Sequence, residues 1–125
     1  MTPGFHFADD DDIRALTRPP HLPVRVELEP HSTAASLRRS LALELGLIPE
    51  AALPTIVDAL GRTSASPLVL VTHFGVLANT SMREMRAVSA LLRELARLVA
   101  VHQGSVFVAE RRLKPQERKP EGASR

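Results

Sequence analysis

Three side chains that can exchange protons or bind a metal follow the apolar runs expected to form strands. His31, His73 and Glu110 each stand just beyond the carboxyl end of such a run. Ligands of open parallel sheets bind at that edge, where imidazole and carboxylate groups serve as acid–base catalysts or metal ligands. They are also ordinary loop positions, and we favour that interpretation because position in a fold is a weak argument for a site. The three residues nevertheless leave open one function, that of a small enzyme or ligand-binding domain that uses this edge.

No motif for nucleophilic or nucleotide chemistry supports an enzyme. The chain has no Gly-x-Ser-x-Gly elbow, no phosphate-binding loop and no dinucleotide fingerprint. It has no cysteine, which excludes disulfides and thiolate metal sites. We therefore predict a protein without catalytic residues, metal or cofactor.

A second group of side chains suggests recognition by charge. Glu44, Glu50 and Asp58 give residues 40–61 three negative charges, with no basic residue before Arg62. Such a surface attracts a basic partner and steers its association. An ordinary solvated surface has the same composition, so both interpretations stay open.

The two ends of the chain are strongly charged. Residues 1–20 contain the run Asp9–Asp12 and are predicted to be a flexible acidic leader, because adjacent carboxylates repel one another. Residues 112–125 are predicted to be a disordered basic tail. Direct nucleic-acid binding is not expected, since the chain has no Trp or Tyr on which bases could stack. No apolar run is long enough to cross a membrane, so we expect a cytoplasmic domain without membrane contact.

The elements between these ends predict one α/β domain over residues 21–111. Alternation over Val24–Glu29 indicates a strand with one buried face. The apolar run Leu68–Val71 indicates a strand covered on both faces, and Val106–Ala109 forms the last strand. Three helices are expected between these strands. Ser32 or Thr33 is the expected cap of the first, Pro54 fits the first turn of the second, and Ser81 caps the third. Their expected ends are Gly46, Gly61 and Gly104. This β-α-α-β-α-β order implies a small three-stranded parallel sheet packed by about three to four helices.

This order, together with several short matches, resembles the barstar family. The matching residues are Leu37-x-x-x-Leu41-x-x-Glu44-Leu45-x-Leu47, Pro49-Glu50, Asp58-Ala59-Leu60 and Ser66-Pro67-Leu68-Val69-Leu70. They stand in the family's order and spacing, and the resemblance covers roughly residues 22–110. It implies a bacterial immunity protein of the cytoplasm, which blocks a ribonuclease or another toxin by occluding its active site.

In that family the second helix and the loop before it contact the ribonuclease, with acidic groups in place of RNA phosphate. The resemblance therefore implies Glu50 and Asp58 as acidic contacts, with shape supplied by Ala51, Ala52 and Thr55.

The chain departs from the family pattern on both sides of Asp58. Residues 51–54 replace the family's tyrosines and its Gly-x-Asn, and Gly61 and Arg62 stand where the family has an aromatic residue and its dominant aspartate. Aromatic anchors usually dominate binding energy. Because the partner surface lacks these aromatic residues and includes Arg62, we expect a weaker or different interface than in the family.

Overall fold

Strands and helices alternate in the computed structural model, which describes residues 3–18 and 23–111. The strands are β1 (Gly4–Ala8), β2 (Val24–Glu27), β3 (Leu68–Thr72) and β4 (Ser105–Ala109). The helices are α1 (Asp10–Leu16), α2 (Ala34–Glu44), α3 (Leu53–Thr63) and α4 (Met82–Ala100), with a 3-10 helix at Phe74–Asn79. The predicted α/β class is confirmed.

The sheet is parallel and has four strands in the order β1-β4-β3-β2. The prediction of three strands is therefore wrong by one. The additional strand β1 pairs with β4 from Gly4 opposite Ser105 to Ala8 opposite Ala109. The prediction of a flexible leader over residues 1–20 is likewise wrong for residues 4–16, because they form β1 and α1.

The acidic run begins a helix, which explains why the leader prediction failed. Asp9 is the N-cap of α1, and its Oδ1 accepts a hydrogen bond of 2.8 Å from the Asp12 amide. Asp12 returns the contact, with Oδ2 accepting from the Asp9 amide at 3.1 Å. Carboxylates in a first helical turn are stabilised by the free amides and the helix dipole, and here this outweighs their repulsion. The predicted basic tail, residues 112–125, lies outside the described residues.

The helices lie on both faces of the sheet. Side chains of β3 alternate between the faces: Val69 and Val71 belong to the larger core, whereas Leu68 and Leu70 pack with Leu16 of α1. The chain moves across the sheet in one direction from β1 to β2 and in the other from β2 to β4. Right-handed crossovers therefore require α1 on the face opposite α2–α4.

The larger core is organised around α4. Its apolar face is buried at Val88, Leu92, Leu95, Ala96 and Val99. Ser81 caps the helix as predicted, with its Oγ accepting from the Glu84 amide at 3.1 Å. The helix ends at Ala100, before the expected Gly104.

Gly104 lies in a close approach between the end of α4 and the start of β4. A Cβ there would lie 2.8 Å from the Pro67 carbonyl oxygen and 2.9 Å from that of Val99. The position therefore requires glycine because of space.

Candidate functional site

The turn between α2 and α3 is held by backbone hydrogen bonds. Gly46 adopts a left-handed φ of 75°, and the Leu47 amide donates to the Ala42 carbonyl at 2.8 Å. The Gly46 amide donates to the Leu43 carbonyl at 3.1 Å. This pair of bonds is a Schellman motif, which satisfies the last carbonyls of a helix. The chain therefore leaves α2 in a defined direction.

A side-chain contact fixes the second half of this turn. Arg38 of α2 donates from Nη1 to the Ala51 carbonyl at 2.6 Å. A hydrogen bond from a charged donor is stronger than a neutral one. The residues that lead into α3 are thus tied to α2 on one side and to the core on the other.

The helix α3 has a buried face and an exposed face. Ile56, Val57, Ala59 and Leu60 are buried, with Ile56 and Leu60 at 0% exposure. The predicted partner-binding residues Thr55, Asp58 and Arg62 are exposed, and their spacing of three and four places them on one side of the helix. The helix continues to Thr63, past its expected end at Gly61.

The close contact of α3 with α4 explains the glycine inside the helix. A Cβ at Gly61 would lie 3.0 Å from Nδ1 of His102. The last turn of α3 therefore packs tightly against the end of α4. This leaves the opposite side of α3 facing solvent.

The prediction for one residue of this turn was wrong. Glu50 and Ala52 are exposed, as a contact surface requires. Ala51 is only 6% exposed and belongs to the larger core. It was predicted to shape the partner surface, and that is corrected: its methyl group packs inward, while its carbonyl accepts from Arg38.

The acidic side chains of this region make no ion pair within the described part of the chain. Glu44, Glu50 and Asp58 are exposed. Within residues 3–18 and 23–111, the ion pairs involve the other carboxylates Asp10, Asp11 and Glu94. We name the exposed residues Glu44, Ile48, Glu50, Thr55 and Asp58 the acidic α2–α3 surface. Its charges are open to a basic partner.

Two exposed apolar side chains in this region were missed by sequence reasoning. Leu43, at the end of α2, is 54% exposed, and Ile48, in the turn, is 67% exposed. Leu43 falls outside the stripe of Leu37, Leu41 and Leu45, so its exposure was detectable from helical spacing. These two side chains add exposed apolar area beside the acidic residues.

The residues of the alternative site, His31, His73 and Glu110, lie at the carboxyl edge of the sheet. His73 is half-buried with a left-handed φ of 64°, and its Nδ1 lies 3.1 Å from the Leu28 carbonyl. It therefore links the ends of β2 and β3. His31 is exposed beyond β2. Among the described residues, no three His, Asp or Glu side chains are grouped so as to hold a metal ion.

Glu110 is joined to the segment after His73, since its carbonyl accepts from the Gly75 amide at 3.0 Å, and it borders a shallow hollow between the ends of β1 and β4. The hollow has a volume of about 280 Å³ and is lined by Ala8, Asp9, Asp10, Ile13, Glu110 and Arg111. Neither histidine lines it. Arg111 reaches Asp10 at 3.4 Å, so part of the acidic charge in the hollow is neutralised.

The charged side of α4 carries an internal ion pair. Arg97 donates from Nε to Oε1 of Glu94 at 3.1 Å. This hydrogen bond lowers the pKa of Glu94 below its ordinary value of 4.5, and the same contact raises the pKa of Arg97. This face therefore carries charges of both signs.

Comparison with known proteins adds no relative to these observations. Among the described residues, no helix combines the length and apolarity needed to cross a membrane. Neither a family model, nor a curated protein, nor a solved structure matches this chain.

Proposed function

We propose that this chain is a barstar-like protein-binding module that inhibits a basic partner, a ribonuclease or another toxin, in the cytoplasm. One observation carries the proposal: Asp58 lies at the centre of the exposed side of α3, between Thr55 and Arg62, without a cation partner among the described residues. The buried side of the same helix holds it in place. A charge presented on a fixed helix requires little ordering when a partner binds.

The mechanism is occlusion of the partner's active site. The acidic α2–α3 surface enters a basic cleft, where Glu50 and Asp58 replace the negative charges of a substrate. Complementary charge speeds the encounter, and burial of Ile48 and Leu43 slows dissociation by removing apolar area from water. The resemblance of residues 37–60 to the barstar family supports the same region.

Arg62 bears on which partner fits. It lies one helical turn beyond Asp58 on the exposed side of α3. Facing a uniformly basic cleft it would repel, so the partner must offer an acidic or neutral group there. This defines a partner related to, but not the same as, the ribonuclease of the family.

The experiment is a pull-down from the lysate of the native host, followed by assay of the captured protein's catalytic activity. The bait is the wild type beside Asp58→Arg, and Asp11→Arg is the matched control. Asp11 is an exposed carboxylate of α1, so both variants change the net charge equally. We expect the wild type and the control to retain a basic enzyme and suppress its activity. Asp58→Arg should weaken binding by about 30-fold or more.

Salt dependence provides a second readout. The association rate of the wild type should fall as ionic strength rises, because exposed charges are screened. A captured enzyme that stays fully active in the complex would refute inhibition. Equal binding by all three proteins would remove the acidic α2–α3 surface from the interaction.

The alternative, an enzyme or ligand-binding domain at the carboxyl edge, is tested with the same proteins. Alanine at His31, His73 or Glu110 should leave an inhibitor intact but abolish an enzyme. The hollow beside Glu110 is the observation that favours this alternative. Loss of a measured activity in Glu110→Ala, with partner binding unchanged, would decide for it.

A further inference from the structure

The two edges of the sheet differ in how well they are protected from pairing with another chain. At one edge, β2 carries Arg25 and Glu27, and such charges discourage further pairing. At the other edge, β1 has the sequence Gly-Phe-His-Phe-Ala, without charged residues or proline. Phe7 of this strand is 66% exposed. Within residues 3–18 and 23–111, β1 has a neighbouring strand only on its β4 side.

The direction of the β1 peptide groups follows from one hydrogen bond. The Gly4 amide donates to the Gly104 carbonyl at 3.1 Å, towards β4. Successive peptide groups of a strand point alternately to its two sides. The amide and carbonyl groups of Phe5 and Phe7 therefore point outward, in position to pair with a further strand.

We propose that β1 pairs antiparallel with β1 of a second copy of this chain, about a twofold axis at His6. The segment Phe5-His6-Phe7 is the same in both directions, so the two strands match under this symmetry. Each Phe5 then stands opposite Phe7 of the other copy, and both residues have outward-pointing groups. These are hydrogen-bonded pairs, while His6 faces His6 in a non-hydrogen-bonded pair, whose Cα atoms lie closer together. The two four-stranded sheets join into one.

Aromatic packing favours this occupant of the edge. The Phe5 and Phe7 rings lie edge to face with centroids 5.2 Å apart, and Phe74 stands 6.4 Å from Phe7. In the pairing, Phe7 lies beside Phe5 of the second copy on the same face of the joined sheet. Its exposed ring is then covered, and cross-strand aromatic pairs stabilise antiparallel strands.

The charges near β1 do not oppose this arrangement. The guanidinium carbon of Arg93 lies 4.7 Å from the centroid of the Phe5 ring, so a cation flanks the amino-terminal half of β1. The acidic run begins at Asp9, beyond the carboxyl end of the strand. In an antiparallel pair the acidic runs of the two copies therefore lie at opposite ends of the interface.

The pairing is compatible with partner binding elsewhere. The helix α2 packs on β2 at the opposite edge of the sheet. A dimer through β1 therefore leaves the acidic α2–α3 surface exposed on each copy. The inference does not depend on the proposed inhibitor function.

Cysteine cross-linking tests the position of the twofold axis. The chain has no native cysteine, so His6→Cys introduces one thiol at the axis. Non-hydrogen-bonded pairs have Cα atoms about 4.5 Å apart, within disulfide range. The matched control is Phe7→Cys, which is more exposed but stands opposite Phe5. Under mild oxidation, His6→Cys should form a covalent dimer at least about tenfold faster than Phe7→Cys. Equal rates, or a faster Phe7→Cys, overturn the proposal.

Light scattering at increasing concentration tests the dimer without a thiol. The wild type should approach twice the chain mass of 13.6 kDa. Phe7→Lys should raise the dimer dissociation constant by about tenfold or more, because a charge on an edge strand opposes pairing. The matched control Met82→Lys changes a side chain of similar exposure, 61%, on α4, and it should dimerise normally. A monomeric wild type, or a dimer insensitive to Phe7→Lys, overturns the proposal.

Discussion

The two faces of the sheet are covered to very different extents. On one face, three helices bury a continuous core that includes Leu28, Ile56 and Leu92, each at most 1% exposed. On the other, the two-turn helix α1 supplies Leu16, which packs with Leu68 and Leu70 and with the partly buried Phe107. Buried apolar area is the main favourable term in folding. Most of the stability should therefore come from the face covered by α2–α4.

This difference separates the chain into a stable unit and an added layer. Stability is not uniform across a protein, and elements with few buried contacts open first. The unit contains β2–β4 and α2–α4, including the acidic α2–α3 surface. The added layer is α1, which follows the edge strand β1. The proposed partner binding through α3 should therefore tolerate opening of the layer.

The largest effect is expected for Leu92→Ala in the middle of α4. Leu92 is 0% exposed in the larger core. Removing its side chain leaves a cavity on the well-covered face, and the free energy of unfolding should fall by about 4 kcal/mol. Chemical denaturation measures this loss. Leu43→Ala is the control, since Leu43 is 54% exposed, and it should change stability by less than about 0.5 kcal/mol.

Gly104→Ala should have the next largest effect. The added Cβ would come within 2.9 Å of two backbone carbonyl oxygens, which cannot move aside like a flexible side chain. We expect a loss of about 3 kcal/mol, as in overpacked cores. Gly46→Ala is the contrast: its φ of 75° is strained for alanine, but its Cβ meets no atom within 4 Å. It should lose only about 1 kcal/mol.

Leu16→Ala tests the added layer directly. Leu16 is 3% exposed, but its cluster contains few other buried residues. The loss should be about 2 kcal/mol, near the lower limit for a buried leucine. Hydrogen exchange makes the comparison sharper: amides of α1 should exchange faster, while those of α4 keep their protection. Uniform acceleration across both helices would show that the two faces unfold as one.

The smallest effect is expected on the solvent side of α4. The hydrogen bond from Arg97 lowers the pKa of Glu94. A carboxyl whose pKa is lowered on folding stabilises the folded state above its ordinary pKa of 4.5, and this is lost as pH falls through the lowered value. Glu94→Gln should thus lower the melting temperature slightly at pH 7 and by less at pH 3. An equal change at both pH values would contradict the ion-pair explanation.

The stable unit could be predicted from the sequence because its patterns are local. Strand alternation beginning at Val24 and the stripe through Leu92 repeat at the period of the element they form. The side of α3 that carries Thr55 and Asp58 follows from the same spacing. Local patterns do not reveal that Ala51 is buried, since an alanine in a turn is equally common in either environment.

Strand β1 and helix α1 were harder to predict. The strand has only five residues, and the acidic run that follows it is typical of a flexible segment. One indication was available: the apolar run Leu68–Val71 predicted a strand covered on both faces, which requires an element on the second face. Helix α1 is that element, since its Leu16 packs with Leu68 and Leu70. The hollow beside Glu110 lies where β1 and β4 end side by side. These strands are about a hundred residues apart in the sequence, so no local pattern predicts their contact.

The pairing of the first strand with the last has a consequence during synthesis on the ribosome. Ser105, the partner of Gly4, is made about a hundred residues after it. At about 5–20 residues per second, β1 waits for roughly 5–20 s before β4 is translated. During that interval its two phenylalanines are exposed to other nascent chains. Newly made protein should therefore benefit from a chaperone that shields β1 until β4 has been made.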